Sequence, residues 1–225
     1  MNLRILGLIL ALPAALVAQE TAPLKKQEPG VQVRLLAEVA PPELGKVCLF
    51  FGKEKSEGII LPTNQLSDPL TVSQRVIVIK TVEKEIPLCS ITLPETGSAF
   101  AIVLVTAKPA GFAPIVVRTD DPSFKAGDVF FINRSEKTIL GKLGNTPLIL
   151  KPGENSKTRP SSAVAETYYD IAFATREEAG DKLISSSRWP VDNNLRSYIF
   201  FFTNAQGKTT FRAVDEYMTS PVVRP

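Results

Sequence analysis

Histidine is absent from this chain of 225 residues. That absence removes Ser-His-Asp and Cys-His catalysis and the common His-containing zinc sites. Cysteine is scarce: the only two are Cys48 and Cys89, too few for a Cys-rich zinc site or an iron–sulfur cluster. The phosphate loop, the dinucleotide fingerprint, the Gly-x-Ser-x-Gly elbow and the EF-hand loop are all missing. No metal, no cofactor and no enzymatic mechanism are therefore expected. Lys and Arg form no dense stripe; the net charge is only +3 and both signs are interspersed, so nucleic acid is not an expected partner. Beyond the first residues no apolar run is long enough to cross a bilayer.

The opening residues set the expected address. "MNLRILGLILALPAALVAQE" carries one positive charge, Arg4, then an apolar run from Ile5 to Val17, then Ala18 before Gln19. This reads as a secretory signal peptide over residues 1–18, cut after Ala18. The apolar run is too short for a stable membrane anchor, and the residue after the cut is not the Cys of a lipoprotein. A secreted or periplasmic protein of a bacterium is the expectation. In an oxidising compartment a Cys48–Cys89 disulfide is expected; two buried free thiols are the other reading.

Residues 19–30 are polar, contain Pro23 and Pro29, and read as a flexible lead-in. Strand signals dominate thereafter. "KVCLFF", "RVIVIKTV", "AFAIVLVT", "APIVVRT", "DVFFIN", "ETYYDIAFAT" and "SYIFFFTN" are short β-branched or aromatic runs, separated by Pro, Gly, Asn and Asp. Only "REEAGDK" suggests even one helical turn. The fold class is all-β, an antiparallel sandwich. Pro152 and Gly153 in "LKPGEN" fit a type II turn, and Gly207 in "NAQGK" fits the left-handed position of a hairpin loop. "TPLILKPGE" resembles a turn of many bacterial Ig-like domains, which implies an Ig-like sandwich.

An internal repeat is suggested. "GKVCLFFGKEKSEGIIL" from Gly45 resembles "GDVFFINRSEKTILGKL" from Gly127, and "GSAFAIVLVTAKPAGFAPIVVRTDD" resembles "LRSYIFFFTNAQGKTTFRAVDE". Two tandem halves, residues 31–121 and 122–219 with a tail at 220–225, are expected; one large sandwich sharing a single core is the alternative. "TDDPSFKAGD" is the candidate junction.

The candidate site centres on the only tryptophan, Trp189, in "SSSRWPVDNNLRSYIFFFTN". Pro190 biases Trp189 towards extended geometry, and "DNN" is turn chemistry, so "RWPVDNN" reads as a loop. Trp189 with Arg188, Asp192, Asn194 and Arg196 would suit a glycan, an aromatic platform ringed by polar groups. Alternatively Trp189 closes the end of the core. "YIFFFT" is apolar on both faces and needs cover on both; that cover is either internal or a protein-binding or self-association face. The neighbouring carboxylates Asp120–Asp121 and Asp215–Glu216 point to opposite faces of a strand, which disfavours a carboxylate-pair hydrolase. Ser135 and Ser156, each near a Lys, read as hairpin tips rather than Ser-Lys dyads.

The expected function is a non-enzymatic binding or structural module of the cell envelope, acting on an envelope or secreted protein through sheet faces or edges. Glycan binding around Trp189 is the runner-up, and a hydrolase the third reading.

Overall fold

The computed structural model describes residues 30–107, 110–160, 168–204 and 206–218. The expected leader (residues 1–18), nearly all of the lead-in and the tail at 220–225 lie outside the described residues.

The described residues are all-β apart from a short 3-10 turn at Pro42–Leu44. Its first part runs β1 (Val31–Ala37), β2 (Lys46–Phe51), β3 (Glu54–Lys55), β4 (Ile59–Ile60), β5 (Leu70–Val72), β6 (Val76–Thr81), β7 (Pro87–Thr92), β8 (Ala99–Thr106) and β9 (Phe112–Arg118). The second runs β10 (Val129–Asn133), β11 (Ile139–Leu143), β12 (Thr146–Leu150), β13 (Asn155–Thr158), β14 (Tyr168–Glu177), β15 (Gly180–Pro190), β16 (Leu195–Thr203) and β17 (Thr209–Tyr217). Four sheets result. Layer 1 is β3-β2-β6-β7 with β4 beside β2; layer 2 is β5-β1-β8-β9; layer 3 is β13-β10-β16-β17; layer 4 is β12-β11-β14-β15. Each part thus lays out its strands in the same order.

Layers 2 and 3 are mixed rather than purely antiparallel, because β1 runs parallel to β8 and β10 runs parallel to β16. A parallel pair needs a crossover; here the chain makes it by passing through the partner sheet and returning.

Three apolar cores separate the four layers. Val33, Leu35, Leu49, Ile77, Ile79, Phe100 and Ile102 fill the space between layers 1 and 2. Phe131, Ile139, Ile171, Phe173, Ile199 and Phe201 fill that between layers 3 and 4. Between layers 2 and 3, Leu36, Ala101, Val103 and Val105 meet Ile132, Tyr198, Phe200 and Val214, with Phe124 from the connecting segment. This explains the doubly apolar strands. Along β16, Ile199 and Phe201 face one core while Tyr198 and Phe200 face the other; β8 divides its residues in the same way. Strands buried on both faces read as continuous apolar runs. The cover that "YIFFFT" requires is layer 4 of its own half on one face and layer 2 of the other half on the opposite face.

A buried ionic cluster closes one end of the middle core. Arg196 donates to Glu216 through Nε (2.6 Å) and Nη2 (3.1 Å), and through Nη1 to the Thr119 carbonyl (2.9 Å). Arg34 reaches across from β1 to Glu216 at 2.9 Å. The guanidinium of Arg196 also lies over the Phe124 ring, 4.6 Å from its centroid. Burial and the adjacent Glu216 push the Tyr198 hydroxyl up, so it stays protonated and donates to Glu216 at 2.9 Å.

Two local expectations change. "REEAGDK" is the tight β14–β15 connection, in which Gly180 (φ 116°) takes a backbone angle that side chains disfavour. Cys48 and Cys89 are both free thiols. Cys48 pairs with Lys80 and Cys89 with Ile79, so β6 lies between them. Lys80 and Ile79 are consecutive, which puts the two cysteines on opposite faces of layer 1, roughly 10 Å apart across two strand spacings. No disulfide reaches that far.

The turns behave as their residues dictate. Glu154 N–H donates to the Lys151 carbonyl at 3.1 Å around Pro152 and Gly153 (φ 79°). Gly207 (φ 72°) donates to the Asn204 carbonyl at 3.0 Å. In the repeat, β8–β9 and β16–β17 do occupy matching places. The strand beginning at Lys46 does not match the one beginning at Val129: the former belongs to layer 1, while the latter matches β1 in pairing parallel to the penultimate strand of its half.

Candidate functional site

The sandwich of layers 3 and 4 opens at one end into a cleft of ≈ 480 Å³. Strand alternation builds it. On layer 3, Val129, Ser197 and Asp215 stand in one cross-strand row, followed by Leu195 and Tyr217. On layer 4, Tyr169 pairs with Trp189. One step inward these rows give way to Phe131, Ile199, Ile171 and Phe173, the apolar core. Ser197 and Asp215 are too small and too polar to fill the gap opposite the Tyr169–Trp189 pair, and the sheets stay apart there. Volume and composition fall within the usual range for small-ligand sites, an apolar wall with a few placed polar groups.

The aromatic wall is anchored. Trp189 is half-buried, edge-on to Phe173 at 6.3 Å between ring centroids and tilted against Phe211 at 6.3 Å. It therefore caps the core and lines the cleft at once. Trp189 is the penultimate residue of β15 rather than a loop residue; the ladder to β14 extends as far as Pro190, which has no N–H to continue it. Tyr169 beside it has its hydroxyl pushed up to about 12, by burial first and then by Asp215. Tyr217 forms an exposed rim.

The polar wall is held by short hydrogen bonds. Ser197 Oγ donates to Asp215 Oδ1 at 2.6 Å. Arg159 Nε donates to Asp128 Oδ1 at 2.6 Å, and its Nη2 to the Ala126 carbonyl at 2.6 Å. Asp192 Oδ1 accepts from the Asn194 N–H at 2.7 Å, an Asx turn that fixes the rim. Met218 N–H donates to the Asn194 carbonyl at 2.6 Å, tying β17's end to the same loop.

The sequence-selected residues separate into three places. Trp189 and Asp192 line the cleft, and Asn194 shapes its rim through backbone contacts. Arg188 precedes Trp189 on the strand and so points to the outer face of layer 4, where it pairs with Asp170 at 2.9 Å in the open. Arg196 lies on the opposite face of β16 from Ser197 and belongs to the buried cluster with Glu216; it does not reach the cleft. Sequence reading missed Tyr169, Ser197, Tyr217, Asp128 and Arg159, and took Asp215 only as a member of an acidic pair; the fold brings all six to the cleft. The one available signal was alternation along "LRSYIFFF", which places Ser197 and Ile199 on the face opposite Arg196.

The neighbouring carboxylates do not act in pairs. Asp215 faces the cleft and Glu216 the middle core. Asp120 is exposed; the desolvation it still suffers raises its pKa, but hydrogen bonds from the Ser98 backbone and from Arg118 outweigh this and bring it down to about 2. Asp121 caps the Ser123 N–H at 2.8 Å. Ser135 Oγ donates to Asn133 Oδ1 at 2.7 Å in the turn leading from layer 3 to layer 4. Among the described residues no group of His, Cys, Asp and Glu is disposed to hold a metal ion, and no helix is long and apolar enough to cross a membrane.

No known protein family matches this chain, and no curated protein matches it either.

Proposed function

We propose that the protein is an exported, non-enzymatic binding module of the bacterial cell envelope, and that its ligand seat is the cleft between layers 3 and 4. The observation that carries this reading is the cleft's composition: Trp189 and Tyr169 side by side on one wall, hydrogen-bonded Ser197 and Asp215 on the other. An aromatic face against placed polar groups suits a sugar-sized polar ligand, such as the end of an envelope glycan. Ser197 Oγ is engaged by Asp215, and Asp128 by Arg159, so these side chains are fixed as a preset polar wall, as a binding seat requires. Titrating a glycan panel and envelope extracts while following Trp189 emission tests the proposal. A saturable change with at least one ligand is expected; a flat response to all of them removes the cleft as the seat.

A protein partner is the second reading, and a specific surface favours it. Ile149, Leu140, Ala174 and Leu183 form one row straight across the outer face of layer 4, and Ile149 and Leu183 are each 62% exposed. A contiguous exposed apolar row suits a protein contact. Under this reading Leu183→Asp abolishes co-purification of an envelope partner without changing the Trp189 titration.

A further inference from the structure

The cleft's charge narrows what it can hold. Three carboxylates line it, Asp128, Asp192 and Asp215, against a single guanidinium, Arg159. Arg159 is committed to Asp128 at 2.6 Å, so that pair is close to neutral. Asp215 and Asp192 remain. Each uses one oxygen for a neutral donor: Ser197 Oγ at 2.6 Å and Asn194 N–H at 2.7 Å. Neither has a cationic side chain within ion-pair distance among the described residues. Trp189, Tyr169 and Tyr217 bring three electron-rich rings to the same cleft, and the faces of such rings attract cations, Trp most strongly. An anion would meet two uncompensated carboxylates and the negative faces of the rings. A neutral sugar would leave those carboxylates without a counter-charge.

We infer that the cleft recognises a ligand carrying an alkylammonium group, seated against the Trp189–Tyr169 wall with its charge on Asp215 and Asp192. This rests on the cleft being the ligand seat, and it names the ligand's chemistry. An ammonium would complete both sides: the carboxylates gain a counter-ion, and the alkyl carbons next to the nitrogen pack on the rings. The group can arrive on an amino sugar or on a lysine side chain.

Three probes separate the outcomes, each titrated into the whole protein at mildly acidic pH while following Trp189 fluorescence. They are a glucosamine trimer, its fully N-acetylated counterpart and trilysine. The glucosamine trimer or trilysine, or both, should bind, and which of them does so identifies the source of the group. The neutral acetylated trimer should bind at least about tenfold more weakly than the better cationic probe, and raising the salt should weaken the cationic probes. Asp215→Asn, which keeps an acceptor for Ser197, should weaken cation binding about tenfold. Asp170→Asn, on the outer face of layer 4, should leave binding unchanged, and thermal melts of both variants report folding. Equal binding of the acetylated and free-amine trimers overturns the ammonium inference while leaving the cleft as a glycan seat. No response to any of the three, with the glycan panel also flat, overturns both.

Discussion

The two sandwiches share a strand order, but their ends differ: among the described residues, the cleft of ≈ 480 Å³ lies at the end of the second. In the first, the parallel and antiparallel ladders set Val33, Phe100 and Arg118 side by side; in the second, the same ladder positions hold Val129, Ser197 and Asp215. Phe100 is 1% exposed and fills its row, with Leu93 beside it in the same core. Arg118 turns to Asp120 at 2.7 Å, and Arg75 braces the carbonyls of Pro94 and Gly97 across the end. Ser197 has no ring to offer, and Asp215 needs a wet or polar neighbour. One cross-strand row, Phe100 and Arg118 against Ser197 and Asp215, thus distinguishes the filled end from the one with a cleft. The fold is common to both halves; the site lies in the departure from it.

Substitutions at that position should test the contrast most strongly. Phe100→Ala should cost about 4 kcal/mol, because a fully buried ring leaves a cavity, measured as a lower midpoint in chemical denaturation. Next comes the cluster that joins the halves: Glu216→Leu leaves Arg196 buried without its counter-charge and should cost about 3 kcal/mol. If unfolding is one transition in the parent and two in this variant, the cluster is what makes the halves cooperate; an unchanged midpoint would falsify that coupling. At the matching position of the second half, Ser197→Ala should cost only about 1 kcal/mol, the loss of one hydrogen bond from a buried hydroxyl to the exposed Asp215 carboxylate, which water can solvate instead. A cost equal to that of Phe100→Ala would mean the cleft end is packed as tightly as the plugged one.

Smaller effects sharpen the picture. Asp120 has a lowered folded-state pKa of about 2, so its stabilising contribution is present above its ordinary value near 4 and is lost as the pH falls towards 2. Asp120→Asn should therefore destabilise by less than about 1 kcal/mol at neutral pH, and the gap between variant and parent melts should vanish near pH 2. Smallest is the response to reductant, which should leave the melting curve unchanged because both thiols are free. Burial raises both thiol pKa values, that of Cys89 to about 11, so alkylation of the native protein should be slow at neutral pH and quicken as the pH rises.

Much of the architecture could be read from residue order. The strands of "AFAIVLVT" and "SYIFFFTN" announced themselves, and their doubly apolar character demanded cover on both faces. What supplied the cover could not be read, since it depends on layer 2 meeting layer 3. The repeat was visible in the same strands but slips by one residue: aligning Phe100 with Tyr198 matches ring to ring, whereas the ladders match Phe100 with Ser197. Strands that are apolar at every position lose the alternation that would fix their register. Trp189 stands out as the lone tryptophan. Tyr169 does not, and Asp215 stands out only as half of an acidic pair, because strand pairing alone brings both near Trp189. Arg196 was grouped with Trp189 by closeness in sequence, although period-two alternation turns it to the opposite face.

The middle core has a consequence for how the chain is made. One side of it, Leu36, Ala101, Val103 and Val105, is complete once the ninth strand has formed; the other side waits for Tyr198, Phe200 and Val214, close to the C-terminus. Until those late residues emerge, the finished first sandwich presents a bare apolar face. A nascent chain in that condition is prone to stick to its neighbours, and a ribosome stalled anywhere before Leu195 leaves a product with that face permanently uncovered. Shielding of that face until the whole chain is available should therefore raise the yield of folded protein, measured as soluble product with and without a general chaperone.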